Sequence, residues 1–239
     1  MNTNERSTVV AQGSLGVKKR FDTKTLAVLA MITAIAYVLA SVIRIPLVPA
    51  VGFLGYEPKD VVLVIAGFIY GPVAPLAMIT IIALLEGVTS SVLGPAGIPM
   101  NFIASASFCV TASFIYSKKR TVTGAVLGLA LGTIATTASM LLWNYILTPI
   151  LMGWPRELVV EMLIPGFLPF NIIKGVLNSA FAMLLYKPIR RALDSARLVP
   201  ATVVAETGKS SVVSKGVLIA SAFIVVSVAL MVLIRFDVI

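Results

Sequence analysis

Seven largely apolar stretches, separated by short clusters of charge, run through the 239 residues, and this alternation constrains the fold more than any other feature. A bilayer core takes about 20 apolar residues per helix and offers no water to an unpaired backbone group, so such stretches read as membrane helices. Spans are predicted at 25–43, 59–71, 73–93, 100–116, 122–147, 167–186 and 216–234. The second is short and ends at Gly71-Pro72, which predicts a bent hairpin between the second and third. Only 12% of residues are charged, against about 25% in soluble domains. That balance argues against soluble enzymes and nucleic-acid binders. The one cysteine, Cys109, lies in an apolar run without a partner, histidine is absent, and neither a disulfide scaffold nor a metal site is expected.

The net charge of +9 is divided unevenly along the chain. With the N-terminus inside, fourteen Lys and Arg fall on inner segments. Four, Arg44, Lys59, Arg156 and Arg235, fall outside, and Lys174 is left within a span. The positive-inside rule then predicts a multi-pass protein of the cell membrane with a cytoplasmic N-terminus. Tyr70, Tyr116 and Tyr186 fall at expected inner boundaries, and Tyr145 and Trp154 near the outer one, as an aromatic belt would have them. The first apolar run is longer than a signal peptide's and is read as retained. The expected organisation is a basic cytoplasmic segment (1–24), a six-helix membrane domain (25–193), a polar cytoplasmic linker (194–215) and a further C-terminal helix (216–239).

Chemistry in such a chain must lie in what lipid disfavours. A charge at mid-membrane costs about 2.5–3.5 kcal/mol on insertion scales, so Lys174 and Glu86 demand an explanation. Lys174 sits about 11 Å along its helix from the outer end, and Glu86 lies at a comparable depth. Asn101 opens the fourth span, Asn144 lies near the outer end of the fifth, and Asn171 is one turn above Lys174. Asn171, Lys174 and Asn178 share one helix face. The polar groups thus gather in the outer half, which describes a cup open to the outside and sealed below, where a channel or proton relay would be polar along its whole path. An Asn amide offers two donors and an acceptor and an ammonium three donors, a set suited to a planar heterocycle with a polar tail. Phe53, Trp143 and Phe170 are candidates for the wall. Two plainer readings stand beside this one: the Asn residues join helices, and Lys174 pairs with Glu86 for stability alone.

The string Leu168-Pro169-Phe170-Asn171-Ile172-Ile173-Lys174-Gly175, preceded by Trp143-Asn144-Tyr145, resembles the riboflavin-specific substrate-binding subunits of energy-coupling factor transporters. Gly55-Tyr56-Glu57-Pro58-Lys59-Asp60, Ile69-Tyr70-Gly71-Pro72 and Asn101-Phe102-Ile103-Ala104 match the same family, over about residues 25–190. The resemblance implies an all-α membrane protein, a six-helix bundle to which this chain adds a C-terminal transmembrane helix. It implies capture of riboflavin from outside, with the loop between the first two helices closing over it. Asn144, Asn171 and Lys174 would bind the flavin, with Asn101, Tyr56 and Leu54 at the lid and mouth and Glu86 as a further candidate. No cofactor is implied, riboflavin being cargo. The implied partners are a transmembrane coupling subunit and two cytoplasmic ATPases. Ala30 and Ala34 in the first helix are the implied coupling contact, with Ala36 and Ala40 a second small-residue pair.

Three alternatives remain at this point. The cargo could be another vitamin or heterocycle, such as flavin mononucleotide. The chain could be an assembly subunit without ligand. An intramembrane enzyme would have Glu86, Glu157, Glu161 and Lys174 to work with, but no histidine and no serine beside a base. Gly208-Lys209-Ser210 lacks the first glycine and the preceding strand of a phosphate-binding loop.

Overall fold

The computed structural model describes residues 22–47, 54–89, 94–199 and 215–235. Nearly all of the expected N-terminal segment, Phe53, most of the 194–215 linker and Gly208-Lys209-Ser210 lie outside them. The fold is mostly helical: α1 (Thr23–Val42), β1 (Ile45–Pro46), β2 (Gly55–Tyr56), α2 (Lys59–Tyr70), α3 (Val73–Thr89), α4 (Gly97–Lys118), α5 (Val122–Met152), α6 (Arg156–Met162), α7 (Leu168–Ser195) and α8 (Lys215–Arg235). β1 and β2 pair antiparallel, Ile45 opposite Tyr56.

Local chemistry sets the ends of these helices. Asp22 caps α1 by accepting the Thr23 N–H at 2.8 Å, and Thr121 caps α5 by accepting the Gly124 N–H at 3.1 Å. Gly71, at φ 90°, stops α2 in a conformation that a side chain would resist, and Pro72 prevents its continuation. This is the hairpin turn expected from the sequence. α6 runs through a π-helical turn, Leu163–Phe167, directly into α7. The expected sixth span, 167–186, is therefore part of a much longer helical run, Arg156–Ser195.

Among the described residues, four helical segments are long and apolar enough to cross a membrane: α1, α4, α5 and the Arg156–Ser195 run. α3 and the Leu218–Ser227 part of α8 are apolar but shorter. α2 is central, packed by α1, α3, α4 and α7, so its face toward lipid is almost nil. Leu63, Val64 and Ile65 on successive positions are all buried, where a surface helix would alternate. α4 and α5 approach closely because Gly128 and Gly132 present no side chain. A Cβ at either would come within 2.8 Å of a carbonyl oxygen of α4. α8 packs along α7, with Ser221 buried and Leu218 against the core.

The aromatic residues correct one expectation. Tyr116 and Tyr186 do not form an interfacial belt; both are buried, packed with Phe68, and their hydroxyls lie 3.1 Å apart. Arg190 Nη1 donates to the Tyr186 hydroxyl at 3.0 Å. Trp154 is likewise packed against Val159 and Phe167. Tyr145 remains exposed, with the Arg156 guanidinium over its ring.

Candidate functional site

At the β1–β2 end of the bundle, one hollow is lined by Arg44, Leu54, Gly55, Glu57, Gly97, Met100, Asn101, Ala104, Met140, Asn144, Phe170, Asn171 and Lys174. The starts of α4 and α7, the far part of α5 and the β1–β2 segment all end there, because α4 and α7 both begin at this end and α5 returns to it. Asn101, Asn144, Asn171, Lys174 and Leu54, five candidates from the sequence, are thus brought together. The free volume is about 70 Å³, room for several waters. Arg44, Met100, Met140 and Lys174 are long and unbranched, so the wall can yield to a larger guest by rotamer changes.

The carboxamides are part satisfied and part available. Asn171 donates one N–H to Phe167 O at 2.8 Å, and Asn144 one to Met140 O at 2.7 Å. Thr148 donates to Asn144 Oδ1 at 3.2 Å. Each amide keeps a second N–H, and Asn171 its carbonyl oxygen, for a guest. These back-bonds to the preceding turn also fix the direction of each amide, so the remaining donors are held in place before anything binds.

Glu86 and Tyr56 do not line the hollow. Glu86 is buried and holds Lys59, whose ammonium lies 2.5 and 2.6 Å from its two carboxylate oxygens. The possible Lys174–Glu86 pair is therefore not formed: Lys59, at the start of α2, takes the carboxylate. Asn101 donates to Glu86 Oε2 at 3.1 Å, so one wall residue is anchored to this buried pair. Lys59 also bonds Glu57 at 2.9 Å, and Glu57 meets Arg44 at 3.5 Å, which ties the β1–β2 segment into the same network. Tyr56 is buried with no partner for its hydroxyl among the described residues, and burial, reinforced by the Asp60 carboxylate, pushes the phenol above its ordinary range. Lys174 instead meets Asp60, with 3.6 Å between Nζ and Oδ2. Asn178 turns the same way, donating to Asp60 Oδ2 at 3.4 Å. Trp143 is half-buried and outside the lining, whereas Phe170 is buried and within it.

Sequence reasoning missed Lys59 and Asp60, which are 2% and 1% exposed. It counted Lys59 among the four outer charges, at the start of the second span. The signal was present: Glu57, Lys59 and Asp60 are three charges in four residues at the mouth of an apolar helix, a cluster that needs partners if the helix is central. Glu157 and Glu161 are exposed and are not part of the hollow's lining.

The comparisons with known proteins converge. The sequence profile of the ECF transporter substrate-specific component matches residues 24–186. The chain is 33% identical over 180 residues to the riboflavin transporter RibU of Staphylococcus aureus (strain TCH60), covering 71% of this chain and 92% of that one. It is 29% identical to the riboflavin transporter FmnP of Bacillus subtilis (strain 168), over 73% and 96%. A solved structure of the S component of a bacterial ECF transporter superposes with a TM-score of 0.63 at 34% identity, over 71% of this chain and 97% of that one. All three relatives are nearly fully covered while this chain is not, and α8 lies beyond the matched 24–186.

Proposed function

This chain belongs to the family of ECF transporter substrate-specific components, and from that premise we propose that it is the riboflavin-capturing subunit of a vitamin uptake system. The observation that carries the reading is the convergence of Asn101, Asn144, Asn171 and Lys174 on one hollow whose remaining wall includes Met100, Met140 and Phe170. Burying a flat ring against those apolar side chains supplies affinity, and the fixed polar groups set its orientation. Lys174 and the free amide groups would face the flavin's carbonyls and hydroxyls. Leu54 and the β1–β2 segment, with Tyr56 beneath it, form the lid side of the site. Glu86 acts through Lys59 and Asn101, as support for the wall.

In this reading six helices form the capture bundle and α8 is an addition to it. The site opens outward, the N-terminus is cytoplasmic, and no resident cofactor is needed. Delivery inward depends on a membrane coupling subunit and two cytoplasmic ATPases. The two small-residue pairs of α1 differ in a way that supports a role for one in that contact: Ala36 and Ala40 are buried inside the bundle, while Ala30 and Ala34 are exposed. Small side chains let a partner helix approach closely in lipid.

The test is titration of the detergent-purified protein with riboflavin, followed by flavin fluorescence. Saturable quenching at one flavin per chain is the expected result. Absence of quenching from a preparation that retains its helical circular dichroism would defeat the proposal.

A further inference from the structure

We infer that Asp60 is the positioning residue of the binding site, holding the Lys174 ammonium at the edge of the hollow so that it can serve a guest. This deepens the riboflavin reading and rests on it. Asp60 is 1% exposed and is not part of the hollow's lining, so it cannot touch a guest there itself. Its influence must pass through a neighbour. One carboxylate oxygen, Oδ2, meets both Lys174 Nζ at 3.6 Å and Asn178 Nδ2 at 3.4 Å, while Oδ1 is buried without a partner among the described residues.

Three features make this more than a stability pair. First, Lys174 is the only residue of this trio that lines the hollow, and its side chain is 16% exposed, so the charge sits at the boundary between carboxylate and cavity. Second, an ammonium has three N–H donors and Asp60 faces it from one side, which leaves donors for the hollow. Third, the separation is long for a charged hydrogen bond, in contrast to the tight Lys59–Glu86 pair one residue earlier on α2. Lys59 is thus saturated by Glu57 and Glu86, and Lys174 is held loosely. Without Asp60 the Lys174 ammonium would lose the ion-pair partner it meets, since Glu57, the carboxylate of the lining, is already engaged by Lys59 and Arg44, and it would turn toward other polar groups. Asn178, which is not part of the hollow's lining, completes the arrangement by donating to the same Oδ2.

The test is a double-mutant cycle on riboflavin affinity, using the full chain in detergent. Asp60→Asn is expected to weaken binding about tenfold or more, the scale of one hydrogen bond to a charged group. In a Lys174→Met background the same change should cost almost nothing, because the residue it positions is gone. Asp60→Glu, which keeps the charge, should bind better than Asp60→Asn. Wild-type affinity in Asp60→Asn, or equal losses in both backgrounds, would overturn the inference. Thermal unfolding of the same four proteins without riboflavin covers the case in which wild type fails to bind. Non-additive losses would then uphold the Asp60–Lys174 coupling while the riboflavin reading fell, and additive losses would reject both.

Discussion

The two ends of the bundle solve the same problem in opposite ways. At the Tyr116–Tyr186 end, the two buried hydroxyls bond each other, Tyr186 also accepts from Arg190, and the rings pack on Phe68, with neither ring lining a described cavity. At the β1–β2 end, Asn144 and Asn171 spend one donor each on their own helix and Lys174 is held at 3.6 Å, so polar capacity remains. Buried polar groups normally find partners within the protein. An end that leaves them available beside a hollow has the capacity that the proposed capture site requires, and an end that pairs its hydroxyls in packed surroundings fits the sealed side of the same proposal.

The contrast can be broken most forcefully at Lys174. Lys174→Met removes a charged donor and should reduce riboflavin affinity by about 1.5–3 kcal/mol, roughly 10- to 100-fold, while the protein still inserts and folds. Quenching titrations read this directly, and an unchanged Kd would make the open end as inert as the sealed one. Next in size is Asn171→Ala, which leaves a guest's polar group unpaired at about 1–3 kcal/mol; isothermal calorimetry would register it as a weaker Kd with unaltered stoichiometry. The sealed end should respond in the other currency. Tyr186→Phe loses two hydrogen-bond contacts and is expected to lower stability by about 0.5–1.5 kcal/mol, seen as a reduced Tm in detergent, with riboflavin affinity unmoved. A loss of affinity in Tyr186→Phe would show that the two ends are not independent.

Much of this site was legible before any coordinates. Asn101, Asn144, Asn171 and Lys174 stand out because carboxamides and an ammonium in apolar spans are costly, and rise per residue gives their depth. Depth is all that this arithmetic gives. It does not say which way a side chain points around the bundle, and so it left Lys174 and Glu86 as possible partners when each had a nearer one on α2. Asn178 shows the same limit: it shares a helix face with Asn171 and Lys174, yet one further turn carries it past the hollow to Asp60. The helix limits were mostly legible because Gly71-Pro72 and the Thr121 cap mark them chemically. The run from Arg156 into α7 was not, since Pro165 and Gly166, just before the predicted span at 167, are residues that ordinarily end a helix, and the chain absorbs them in a π turn.

Lys59 and Asp60 have a consequence for the short helix they begin. Twelve residues rise only about 18 Å, well under the thickness of a bilayer, so hydrophobic matching cannot fix how deep α2 sits. Two adjacent side chains of opposite sign, engaged with different neighbours, do it instead. Any sliding or rotation of α2 would strip a cation and an anion of their counterparts at once, so the register of the central helix is locked electrostatically and is indifferent to the lipid around it.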